Sequence, residues 1–258
     1  MGFVEFLGDS RLRHKIVYSK NKYSQCIYCG EEATTREHIP SKVFLTKPYP
    51  DDLGIVPACL KCNNSFSKDE VFLSILIEKL KHRYYGEKYI ITDEFSRRFE
   101  KNRKIESDID KVIEENKLND CYERILNIIF KLSIGHAVFE VSEGYCVKKG
   151  TVDFSFLNQM SKENLEEFLL PFIISDELLP EMGSRAYERI KVVDIELAAV
   201  ADEEQKLNVR MLMLDWVDVQ TSKYSYTSYR FGNEIIVKFV INEFLYAKTI
   251  LYLEESDV

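Results

Sequence analysis

Seven side chains of this chain are placed to do chemistry. Cys26-Ile-Tyr-Cys29 and Cys59-Leu-Lys-Cys62 are two C-x-x-C pairs with the same two-residue gap, and they use four of the six cysteines. That gap lets one tight turn, a knuckle, aim two thiolates at one metal. Two knuckles complete the tetrahedron that zinc accepts in closed structural sites. Glu37-His38-Ile39-Pro40 lies between the pairs, and Asn63 follows the second pair directly. A carboxylate and an amide offer hard oxygen ligands, which suit Mg2+ or Mn2+ rather than zinc. An imidazole takes a proton near neutral pH. A ligand, a base and a second ligand, braced by four thiolates, are the parts of a metal-dependent hydrolytic site.

The order C-x2-C, E-H-I-P, V-P-A-C-x2-C-N resembles the HNH endonucleases that carry a four-cysteine zinc inside a ββα-metal (treble-clef) motif; the match covers residues 24 to 72. The resemblance implies an endonuclease that hydrolyses nucleic-acid phosphodiester bonds, with DNA the expected substrate. It implies that His38 is the general base that activates water. Glu37 stands where the family has aspartate or histidine, and Asn63 where it has histidine or asparagine; both would hold the catalytic Mg2+ or Mn2+. Cys26, Cys29, Cys59 and Cys62 would hold structural Zn2+. The family's middle asparagine, which orients the histidine, has no counterpart in Asp51-Asp-Leu-Gly-Ile-Val-Pro57. Asp52 is the nearest candidate, and a backbone carbonyl is the alternative. A zinc-stabilised module that binds nucleic acid or protein without catalysis is the competing reading. The missing asparagine favours it; Glu-His-Ile-Pro between the knuckles favours the nuclease.

These residues need elements to hold them. Thr34-Thr35-Arg36 is β-favouring and leads into Glu37 and His38. Adjacent strand positions point to opposite faces, so Glu37 and His38 could not both face one metal from a regular strand; the resemblance implies that the pair sits at the strand end, and Pro40 fits such an exit. The loop 41–53 reads as irregular. Ser67-Lys-Asp-Glu70 is a capping box and predicts a helix over 67–84. Capping accounts for Glu70 and a first-turn dipole preference for Asp69; both are weaker candidates as extra ligands. Residues 93–118 read as a charge-rich helix, 120–141 as a buried apolar helix with His136 a core histidine, and 161–169 as a short helix. Strand patterns follow at 189–197, 209–217, 224–231 and 235–241, with a hairpin signal at Gly232-Asn233 and a closing strand over 245–253. The row Tyr224, Tyr226, Tyr229, Phe231 reads as cross-strand aromatic pairs rather than a base-stacking platform. The expected fold class is α+β: an N-terminal ββα-metal zinc motif, a helical middle and a small C-terminal antiparallel sheet. The expected division is a nuclease domain at 1–85 and a reader, regulator or interface at 86–258.

Composition sets outer bounds. The 258 residues carry a net charge of -8, split into +5 over residues 1–105 and -13 over 106–258. A phosphate backbone would be drawn to the first part and repelled by the second. Arg11, Arg13, His14, Lys15, Lys20 and Lys22, interleaved with Tyr18 and Tyr23, could grip nucleic acid, although a solvated surface segment explains them as well. No apolar run approaches the ~20 residues of a membrane helix, and the acidic start lacks a basic signal-peptide region. Cys121 and Cys146 read as buried thiols. A reducing cytoplasm fits this cysteine usage. The acidic C-terminal part is the expected surface for a protein partner or a second copy.

Overall fold

The computed structural model describes residues 3–5, 15–17, 24–174, 184–199 and 202–253. Most of the basic leader, residues 6–14 and 18–23, lies outside the described residues; two short antiparallel strands, β1 (Phe3–Glu5) and β2 (Lys15–Val17), flank part of it. The first knuckle then leads into a hairpin of β3 (Thr35–Ile39) and β4 (Gly54–Ala58), paired antiparallel with His38 opposite Ile55 and Ile39 opposite Gly54. Pro57 breaks no ladder at the outer position of β4, because a two-stranded hairpin is all edge.

The second knuckle runs straight into α1 (Leu60–Tyr85). This helix starts seven residues before the capping box predicted from Ser67. The cap is Cys59, whose Sγ accepts from the backbone N–H of Cys62 at 3.3 Å. A thiolate does here what Ser or Asp oxygen does at ordinary N-caps, so Ser67 and Glu70 fall inside the helix and Glu70 is free for other partners. The charge-rich stretch is helical, as α2 (Asp93–Lys101) and α3 (Arg103–Glu114).

The buried apolar helix is α4 (Tyr122–Val141), which touches β3, β4 and α1 as well as strands of the C-terminal sheet. Ile125, Ile128, Ile129, Leu132 and Ile134 are buried along it. Each such side chain contributes about 1.5–3 kcal/mol on leaving water. One apolar cluster includes Ile39, Leu73, Ile129, Tyr226 and Leu251, so its members lie on both sides of residues 85/86. Gly135 of α4 sits against Ile39: a Cβ there would overlap Cδ1 of Ile39 and lie 3.0 Å from its Cγ1.

After α4 come β5 (Gly150–Phe156), α5 (Lys162–Leu169), β6 (Phe172–Ile174), β7 (Ile190–Ala199), β8 (Asp202–Leu214), β9 (Val217–Gln220), β10 (Tyr224–Phe231), β11 (Glu234–Ile241) and β12 (Leu245–Tyr252). They form two antiparallel sheets where the sequence reading expects one: β5-β12-β11-β10-β9, and β6-β8-β7. The expected strand over 209–217 is split between them. Gly232 (φ +57°) takes the first central position of the two-residue turn between β10 and β11, as a II′ hairpin requires. Tyr224, Tyr226 and Tyr229 are core residues, while Phe231 is exposed; no continuous stacking platform exists there. Among the described residues no helix is long and apolar enough to cross a membrane.

Candidate functional site

The first knuckle is closed by Gly30 N–H donating to Cys26 O at 2.9 Å, with Gly30 at φ +79°, where a Cβ would be strained. The second is the N-terminal turn of α1. The hairpin between them returns the chain so that the Sγ atoms of Cys26, Cys29, Cys59 and Cys62 all lie within 4.8 Å of one another. Cys29 and Cys59 stand 3.7 Å apart. A tetrahedral Zn–S4 site with bonds of about 2.3 Å has sulfur–sulfur edges of about 3.8 Å, so the four thiols fit structural zinc. The N–H of Cys62 draws the Cys59 thiol down to about 7, whereas burial pushes the Cys62 thiol up. Four thiols this close cannot all ionise without a cation among them, a charge that a metal such as zinc would supply.

The hairpin sorts the Glu37-His38 pair to opposite sides. Thr35, Glu37 and Ile39 share one face of β3, and Arg36 and His38 share the other. Glu37 is only 5% exposed. Its Oε1 is ion-paired with Nζ of Lys131 from α4, which is itself buried. Lys131 also donates to Glu70 Oε1 at 2.6 Å and to Ser41 Oγ at 2.7 Å, and the Ser41 hydroxyl donates its own hydrogen bond to Glu70 Oε1. Burial lifts the Glu37 carboxyl above the ordinary carboxylate range, with Lys131 pulling the other way. The Tyr28 hydroxyl and Glu37 Oε2 are both buried, and the phenol interacts with the Glu37 carboxylate. Burial and the Glu37 charge together raise the Tyr28 phenol.

His38 is half-buried on the outer face, beside exposed Arg36. Burial and the nearby Lys42 ammonium lower its pKa, which favours the neutral ring. Its Nδ1 is buried without a partner, so neither Asp52 nor a backbone carbonyl orients the ring through that nitrogen. Asp52, in the turn before β4, pairs with Arg185 at 2.5 Å. Asn63 lies in the first turn of α1, and its amide donates to Thr35 Oγ1 at 3.2 Å, which in turn donates to Ala58 O at 2.8 Å. Asn63 thus ties helix to hairpin. His136 is buried as expected, with Nε2 2.8 Å from the Tyr224 hydroxyl and its ring stacked on Tyr226.

The oxygens expected to hold a catalytic Mg2+ or Mn2+ do not fit one as they stand. Glu37 already has a cation, and Asn63 turns its amide nitrogen to the strand. Lys131 and Ser41, absent from the sequence-derived site, are central to the observed one. The signal for Lys131 was present: a single lysine inside the apolar run Ile128-Ile-Phe-Lys-Leu-Ser-Ile134 needs a buried acid, since lysine is almost never fully buried unpaired. Comparison with protein-family models, with curated proteins and with solved structures finds no match for this chain.

Proposed function

We propose that this protein is an HNH-type nucleic-acid hydrolase, its knuckle–hairpin–helix unit being a treble clef around structural zinc and its substrate a phosphodiester, DNA first. The observation that supports this reading is the placement of His38: a half-buried imidazole on the outer face of a hairpin flanked by four converging cysteines, its pKa lowered by burial and by Lys42. A neutral ring near neutral pH takes a proton from water. Arg36 on the same face and Lys42 beside the ring supply positive charge for a phosphate. Zinc fixes the knuckles and so the hairpin, and it touches no substrate in this scheme.

The test is nicking of supercoiled plasmid, with RNA and single-stranded DNA alongside, in Mg2+, in Mn2+ and in neither, by the wild type and by His38→Ala. Loss of about a hundredfold or more in the variant is expected for removal of a general base. Equal cleavage by both proteins would refute the assignment of His38. A second reading, a binding module without catalysis, draws support from Glu37 and Asp52, whose carboxylates are both held in ion pairs. It predicts no cleavage by either protein, and weaker nucleic-acid binding in Arg36→Ala and Lys42→Ala.

A further inference from the structure

We propose that Lys131 is the resident cation of the Glu37–Glu70–Ser41 cluster, standing where Glu37 would otherwise hold a divalent metal ion. The proposal concerns ion binding and stands whether or not the protein hydrolyses nucleic acid. An ammonium has three N–H donors, and Lys131 meets three acceptors: Glu37 Oε1, Glu70 Oε1 at 2.6 Å and Ser41 Oγ at 2.7 Å. Its side chain is 1% exposed. The lysine is therefore fully coordinated, by oxygens of the kind a hard divalent ion prefers.

One positive charge among two carboxylates leaves the cluster a charge short. Lys131 reaches only one oxygen of Glu37; the other, Oε2, is buried in a side chain 6% exposed, and the group facing the carboxylate there is the Tyr28 hydroxyl, an uncharged donor. A divalent ion would match both carboxylates, but it cannot share the space or the acceptors with the ammonium. The two cations are mutually exclusive. The lysine is covalently present at a fixed position, while a free ion must lose water and ordering entropy to enter. Lys131 therefore holds the cluster in the wild-type chain. Removing its charge while keeping its length turns Glu37, Glu70 and Ser41 into a divalent-cation site.

Mn2+ is the probe, followed by calorimetry and by its electron-paramagnetic-resonance signal on zinc-loaded protein. Lys131→Met should bind Mn2+ at least about tenfold more tightly than the wild type, as expected when a unit charge leaves two carboxylates. Added Mn2+ should also raise its melting temperature. Lys131→Met with Glu37→Gln should lose the gain. Equal binding by the wild type and Lys131→Met overturns the proposal. So does a Lys131→Met chain that binds no Mn2+, or that folds neither with nor without it, since the ion must be able to replace the lysine. A second measurement needs no variant. The wild-type Lys131 ammonium should give an exchange-protected nitrogen resonance that persists in millimolar Mg2+; its loss on adding Mg2+ also overturns the proposal.

Discussion

Replacing Gly135 by alanine sets two effects of opposite sign against each other. In a helix interior, Gly→Ala gains about 1 kcal/mol of helix propensity. At this position the new Cβ overlaps Cδ1 of Ile39 and lies 3.0 Å from Cγ1. Ile39 is 2% exposed and packed into the main core, so it has no open space to swing into. Overpacking of this kind costs about 1–3 kcal/mol. The net expectation is a loss of about 1 kcal/mol in urea unfolding of the zinc-saturated protein, the midpoint of the overpacking range less the propensity gain. Ile39→Val alone should cost about 0.5–1.5 kcal/mol. In the double variant the overlapping methyl is gone and only the 3.0 Å approach to the remaining Cγ is left, so most of the propensity gain returns. The double variant should then be more stable than the sum of the single changes by about 2 kcal/mol, the coupling expected of residues in contact. The reasoning is wrong if Gly135→Ala stabilises the protein as it would on an exposed helix, or if the two changes are additive.

Zinc should be present at one ion per chain, and chelation or Cys26→Ser should unfold the hairpin; a metal-free protein with an unchanged melting curve would refute the four-thiolate site. Burial holds His136 neutral, with Arg185 and Lys131 nearby, far below its ordinary pKa. The unfolded chain therefore takes up a proton below about pH 6.5 that the fold refuses. Stability contributed by the neutral ring is full above that pH and falls as pH drops, by up to about 1.4 kcal/mol per pH unit. His136→Phe should flatten this slope between neutral pH and pH 5, and equal slopes would contradict the burial effect. Asp52→Asn should cost roughly 1 kcal/mol through its partly exposed pair with Arg185, while leaving the pH dependence of any His38-dependent cleavage unmoved. A shifted profile would show that Asp52 acts on the histidine after all.

The parts legible in the sequence are those whose cause is local. Two C-x-x-C gaps encode two tight turns, and the four sulfurs do converge. The apolar run around Ile128 and Ile129 encodes a buried helix. The Gly232-Asn233 pair encodes its hairpin. Misreadings arise where a partner is distant. Ser67-x-x-Glu70 fits a capping box, but Cys59 caps the helix and Glu70 reaches Ser41 and Lys131, 61 positions onward. Asp52 looks available in a loop until Arg185 is folded onto it. Glu37 reads as a metal ligand because Lys131, which neutralises it, lies in another helix and bears no spacing that links the two. The β5 strand escapes the reading for a different reason: its alternation at Val152, Phe154 and Phe156 is brief, and its pairing partner is the last strand of the sheet.

The position of Lys131 along the chain bears on how the protein is made. Translation delivers Glu37 and Glu70 before the residue that neutralises them, and at about 5–20 residues per second the wait from Glu70 to Lys131 is roughly 3–12 s. Cys62 is already synthesised by then, so zinc can close its clamp on the nascent chain during that interval. Burial of the two acids must follow the arrival of α4. Closure of the four-cysteine cluster and burial of the two acids are thus separable steps, and a chain halted between them would hold its cysteines together while the carboxylates still face water.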